Sequence, residues 1–105
     1  MHHLPFVQVY DVSLARLREA IESRFNTLEA AKVTPLERRQ LMCDSVHWMT
    51  GAIHQWHATM QTLHVLATAA PGLERSALAA IIEVDRHRVE FEIAGRMDRV
   101  NRSGR

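Results

Sequence analysis

The chain is short of several features that would identify a class of protein, and one long stretch lacks charge. It has a single cysteine, Cys43, which excludes an internal disulfide framework. Its 13 Lys and Arg residues nearly balance its 12 Asp and Glu residues, so a net charge of +1 gives no reason to expect a nucleic acid as partner. Between Ser45 and Leu73, twenty-nine consecutive residues include no Asp, Glu, Lys or Arg.

Signals for export and membrane insertion are also missing. No basic region followed by an apolar core opens the chain, so we see no classical signal peptide. We expect no membrane-spanning helix, because six polar residues would fall inside one membrane-length window: His47, His54, Gln55, His57, Gln61 and His64. We therefore expect a cytoplasmic protein, or one that is exported without a classical signal.

Helix-starting and helix-ending residues divide the 105 residues into one domain with an arm and three helices. Residues 1–10 contain Pro5 and an alternation of Phe6, Val7 and Val9, which predicts an extended arm. Asp11 or Ser13 can cap a first helix over about residues 12–32. Its apolar residues follow a helical period: Leu14, Leu17, Ile21, Phe25 and Leu28.

The second helix has the clearest start. Thr34, Pro35 and Glu37 place a hydroxyl at the cap, proline at the first helical position and a glutamate three residues after the cap, which is the capping-box arrangement. We predict this helix over residues 35–69, ended by Pro71-Gly72. A third helix is predicted over about residues 73–100, with one apolar stripe formed by Leu78, Ile82, Val89, Ile93 and Met97.

The length of the second helix constrains the shape. Thirty-five residues at about 1.5 Å each make a helix of roughly 50 Å, which exceeds a compact domain of this size. Either Gly51 breaks this helix or the molecule is elongated. The tight turn makes the second and third helices antiparallel neighbours. We therefore predict an all-α protein, an elongated three-helix bundle with a long antiparallel helical hairpin, and we expect it to form oligomers.

Two stripes run along the charge-free second helix. Apolar residues at alternating spacings of four and three predict a packed stripe: Met42, Val46, Met49, Ile53, Trp56, Met60, Leu63 and Ala67. Beside it lies a polar stripe, here called the histidine row: His47, Thr50, His54, His57, Gln61 and His64. Since charged residues usually cover a solvated helix face, the histidine row predicts a second contact surface.

The histidine row leaves three interpretations open. It can form polar contacts across a helix interface, it can act as an interface that loosens when imidazoles gain charge near a pKa of about 6.5, or it can supply metal ligands. His54 and His57, three residues apart, would begin such a metal site, although a structural site needs about four ligands. Trp48 is a further interface candidate, because tryptophan often dominates binding energy. The predicted interface is Trp48, His47, His54, His57, Gln61 and His64.

Part of the third helix resembles a known family. Leu78-Ala79-Ala80 and Val89-Glu90-Phe91-Glu92-Ile93-Ala94-Gly95-Arg96-Met97 resemble the C-terminal helix of type III secretion inner-rod and needle-type subunits. The resemblance covers about residues 71–103. It implies a small helical protein that has no cleaved signal and polymerises through helix packing.

These observations favour assembly over catalysis. No nucleophile–base pair, carboxylate dyad or phosphate-binding loop appears, so we expect no enzyme activity and no cofactor. We predict a helical assembly or adaptor protein that binds copies of itself, another helical protein, or both, and serves as a secretion-apparatus subunit if the resemblance holds. The alternative function is a metal-binding helical bundle that uses the histidines.

Overall fold

The computed structural model describes residues 6–67 and 73–103. They form three helices: α1 (Phe6–Ala30), α2 (Pro35–Ala67) and α3 (Leu73–Ser103). The molecule measures 55 × 24 × 16 Å, and its radius of gyration is 16.9 Å, against about 13 Å for a compact 100-residue domain. The predicted all-α, elongated three-helix bundle is confirmed.

Contacts between distant residues fix the helix directions. His57 on α2 meets Glu83 on α3, while Met42 lies beside Met97, so these helices run antiparallel as predicted. Arg18 on α1 bonds Glu92 on α3, and Arg96 on α3 bonds Glu29 further along α1. Helices α1 and α3 are therefore parallel, and α2 runs against both. The predicted turn at Pro71-Gly72 lies outside the described residues.

The predicted extended arm is wrong for residues 6–10, which form the first turns of α1. Phe6 and Tyr10 are four residues apart, so a helix places both rings on one side, with centroids 5.7 Å apart. Tyr10 also packs on Trp56 of α2, again at 5.7 Å. Burial of these rings against α2 favours the helix over the strand-like alternation of Phe6, Val7 and Val9. Residues 1–5 of the arm lie outside the described part of the chain.

The helix ends differ slightly from the predicted bounds. Helix α1 ends at Ala30 rather than residue 32, and α3 continues to Ser103 rather than residue 100. Helix α2 is described to Ala67, and the last two residues of its predicted range are not described. The two-residue difference in α1 is ordinary, since helix ends shift by one or two residues with local hydrogen bonding. Helix α3 is three residues longer than predicted.

The start of α2 has the predicted capping box. The Thr34 amide donates to Glu37 Oε1 at 2.9 Å, and the Glu37 amide donates to Thr34 Oγ1 at 3.2 Å. The Thr34 amide and hydroxyl hold the pKa of the Glu37 carboxyl below its usual value. Arg38 donates to the carbonyls of Leu28 and Ala31, so the end of α1 is tied to the start of α2.

The core lies along the lines where the three helices meet. All five apolar residues of the predicted α1 stripe are buried, as are Met49, Ile53, Trp56 and Met60 of the α2 stripe and Ile82 and Val89 of α3. Val46 does not fit the prediction, because 39% of it is exposed. It lies at the edge of α2 toward a groove with α3 rather than between the helices.

Candidate functional site

Helix α2 buries one side and leaves the opposite side open to solvent between Val46 and Leu66. We call this side the outer face of α2. Its exposed residues are Val46, His47, Trp48, Thr50, Gly51, His54, Gln55, Ala58, Thr59, Thr62, Val65 and Leu66. None of them carries a charge at neutral pH when the histidines are neutral. The exposed fraction is 76% for Leu66, 43% for Val65 and 38% for Trp48.

The other two helices carry charged residues along their exposed surfaces, and α3 also exposes the apolar Ile81, Val84 and Phe91. Exposed charged residues of α1 include Asp11, Arg16, Glu19 and Glu22, and those of α3 include Arg88, Glu90, Glu92 and Asp98. The chain thus follows the usual rule that charged side chains cover solvated helices, except on the outer face of α2. This contrast within one molecule marks the outer face as the candidate site.

The histidine row does not form a single surface. His47 and His54 are exposed on the outer face, His57 is half-buried, and His64 is only 4% exposed. The reason is helix geometry. At 3.6 residues per turn, a separation of seventeen residues leaves the side chains of His47 and His64 pointing about 100° apart around the axis of α2. The row therefore starts on the outer face and ends in the core.

His57 takes part in a polar cluster that joins α2 to α3. Its Nε2 meets Glu83 Oε2, and Gln61 Nε2 lies 3.5 Å from the same ring nitrogen. Arg86 donates to Glu83 Oε1 at 2.7 Å and to Glu90 at 3.2 Å. Hydrogen bonds from Arg86 and then from His57 lower the pKa of the Glu83 carboxyl to about 2. His57 and Gln61 are thus engaged within one copy of the chain.

His64 is packed into the aromatic end of the core. Its ring lies edge-on to Phe6, with centroids 6.4 Å apart, and its Nδ1 has no hydrogen-bond partner among the described residues. Its place is structural: it fills the space between the start of α1 and the end of α2. Its predicted role in a contact with another chain would require the core to open.

Trp48 lies at the edge of the outer face that is nearest to α1. The guanidinium of Arg24 sits 4.4 Å from its ring centroid, a cation–π contact between α1 and α2. The remaining exposed part of the indole keeps Trp48 available as an interface residue. Trp56, in contrast, is buried against Tyr10, as a core residue should be.

The two proposed metal ligands point in different directions. His54 is exposed on the outer face, whereas His57 turns toward Glu83 on α3. Within residues 6–67 and 73–103, no group of three or more His, Cys, Asp or Glu side chains is placed to hold a metal ion. Metal binding by this pair stays a prediction that nothing in the geometry favours.

A groove between α2 and α3 was not anticipated from the sequence. Its volume is about 610 Å³, and it is lined by Arg39, Met42, Cys43, Val46, His47, Thr50, Met97 and Asn101. Met42 and Val46 appeared only as members of the packed stripe. The groove could not be predicted from the sequence, because it depends on α3 leaving one side of Met42 and Val46 uncovered.

Comparisons with known proteins give no relative of this chain. No family model, no curated protein and no solved structure matches it. Among the described residues, no helix is both long enough and apolar enough to cross a membrane. The site must therefore be interpreted from its own geometry.

Proposed function

We propose that this protein is a non-catalytic helical assembly protein that associates with copies of itself through the outer face of α2. The observation that carries the proposal is the absence of charge from a surface that α1 and α3 leave open. This surface runs from Val46 to Leu66, about 30 Å along the helix. Large exposed apolar side chains at its two ends, Trp48 and Leu66, gain free energy when another protein surface removes them from water.

The resemblance of α3 to inner-rod and needle-type secretion subunits agrees with a role in assembly. It stays a prediction, as does a place in a secretion apparatus. The exposed apolar residues of α3, Ile81, Val84 and Phe91, lie on the helix that carries the resemblance. They offer a further contact surface to any larger assembly.

A pair of matched substitutions tests the proposal. Ala58 lies on the outer face of α2 and Ala15 lies on the outside of α1, and both are exposed positions inside long helices. Glutamate is a good helix former, so Ala58→Glu should leave the helicity and melting temperature of the single chain unchanged. Ala15→Glu lies four residues from both Asp11 and Glu19, so it should lower the free energy of unfolding by less than about 1 kcal/mol. Only Ala58→Glu places a charge in the proposed interface, where association would remove it from water.

Sedimentation at micromolar concentration gives the result. We expect the wild type and Ala15→Glu to associate and Ala58→Glu to sediment as a folded monomer of 12.0 kDa. Equal masses for the two variants at every concentration would mean that the outer face is not the contact surface.

A further inference from the structure

We infer that the outer face of α2 pairs with the same face of one second copy, antiparallel and about a two-fold axis, so that assembly through this face stops at a dimer. This inference rests on the proposed function and adds the partner's orientation. A two-fold interface uses the same patch on both copies and closes on itself, whereas a head-to-tail contact would continue into a filament.

The spacing of residues on the outer face supports the antiparallel orientation. Trp48 and Leu66 are eighteen residues apart, which is five helical turns, so they lie on the same edge of α2. His47 and Val65 are separated by the same number of residues. A two-fold axis that lies in the interface and is perpendicular to both helices reverses the chain direction of the second copy. It also places the same edge of α2 on the same side of the dimer in both copies. It therefore sets the exposed indole of each copy against the exposed Leu66 of the other.

The same axis gives a consistent register along the whole face. With the axis between residues 56 and 57, four pairs face each other across the dimer: Trp48 with Leu66, His47 with Val65, Gly51 with Thr62, and His54 with Ala58. Bulky residues meet at the two ends, and near the middle each His54 lies opposite the small Ala58. A parallel pair would instead stack each residue on itself, including His47 on His47 and His54 on His54, and would align the two helix dipoles unfavourably.

Charge and area fit a second copy better than a charged partner. The face has no charge of either sign, so two copies can meet without burying an unpaired ion. The exposed half of a helix about 10 to 12 Å in diameter is about 16 to 19 Å around, so about 30 Å of it presents on the order of 500 Å² per copy. The total of about 1,000 Å² reaches the lower limit of specific interfaces.

Gly51 is a position at which the close approach of the two copies can be tested. A Cβ built at Gly51 would meet no atom within 4 Å, so the single chain gives no steric reason for glycine inside this helix. Glycine there costs about 1 kcal/mol of helix stability relative to alanine. In the proposed dimer, Gly51 faces Thr62 of the second copy. Gly95 on α3 is equally unconstrained and lies outside the proposed interface, so it serves as a control.

Disulfide cross-linking tests the orientation. In a Cys43→Ser background, Ala58→Cys places two thiols about 4 to 5 Å apart along the axis of the antiparallel dimer, within reach of a disulfide. Val65→Cys places its two thiols about 25 Å apart along that axis. We expect Ala58→Cys to cross-link with itself and Val65→Cys to remain unlinked. A mixture of His47→Cys and Val65→Cys chains should give the 47–65 cross-link.

Two further measurements complete the test. The dimer mass should remain at twice 12.0 kDa as concentration rises. Gly51→Ala should raise the dimer dissociation constant about tenfold, as expected for one added methyl group in a close contact, while Gly95→Ala leaves it unchanged. The antiparallel dimer would be overturned if Val65→Cys cross-linked with itself as readily as Ala58→Cys. It would also be overturned by masses beyond a dimer that Ala58→Glu abolishes. Either result would leave self-association intact. A monomer without cross-links would overturn both proposals.

Discussion

Replacing Tyr10 with phenylalanine tests the corrected start of α1. Tyr10 is 7% exposed, and its hydroxyl donates to Asp85 Oδ2 on α3, across a sequence separation of 75 residues. Burial, followed by the hydrogen bond and the negative charge of Asp85, raises the pKa of the Tyr10 phenol well above its usual value. The bond therefore holds the first turns of α1 against the middle of α3.

The magnitude follows from the charge of the acceptor. A hydrogen bond to a charged group contributes about 1.5 to 3 kcal/mol, and Asp85 keeps a second contact with Arg88 at 3.5 Å. We therefore expect Tyr10→Phe to lower the free energy of unfolding by about 1.5 kcal/mol, at the low end of that range. For a domain of this size, the melting temperature should fall by about 6 to 12 °C.

The assay uses the fact that Tyr10 is the only tyrosine in the chain. Ultraviolet absorbance of the phenolate during alkaline titration therefore reports this residue alone. Because the folded-state pKa is raised, the stabilisation is complete below the unfolded value of about 10 and is lost as pH rises through the folded value. Phenolate absorbance in the folded protein near pH 10, together with unchanged stability of Tyr10→Phe, would show that the bond to Asp85 does not form.

Three further outcomes can be checked by chemical denaturation. Met49→Asp should prevent folding, because Met49 is 1% exposed and an unpaired carboxylate there costs several kcal/mol; a cooperative transition like that of the wild type would contradict the core. Thr34→Ala should cost about 1 kcal/mol by removing the cap of α2, and an unchanged midpoint would contradict it. Glu83→Gln should flatten the fall in stability between about pH 4.5 and 2, because a depressed carboxyl pKa gives stability that is lost as pH falls through it. An identical pH profile would contradict the contacts of Glu83 with Arg86 and His57.

Local features of the fold were predictable because neighbouring residues determine them. The capping box at Thr34 depends on four consecutive residues, and it forms as predicted. The buried stripe of α1 depends only on the helical period, and all five of its residues, from Leu14 to Leu28, are buried. The elongated shape followed from the length of α2, because no helix of that length fits a sphere of this mass.

Features that depend on the position of a neighbouring helix were not predictable in the same way. Residues 6–10 alternate like a strand, and their helix forms because Tyr10 meets Trp56 and Asp85 on other elements. The histidine row looked uniform because its spacings of three, four and seven hide a steady rotation around α2. The contact with Glu83 on α3 further distinguishes His57 from the exposed His54.

The mass of the unmodified protein in solution tests the central proposal most directly. It should be measured by sedimentation over micromolar concentrations at about pH 7.5, with and without stoichiometric zinc. We expect a mass of at least twice 12.0 kDa that zinc does not change, because we propose that the uncharged outer face of α2 binds a second copy of the chain. A folded monomer at every concentration, or association that appears only with zinc, would contradict the proposal.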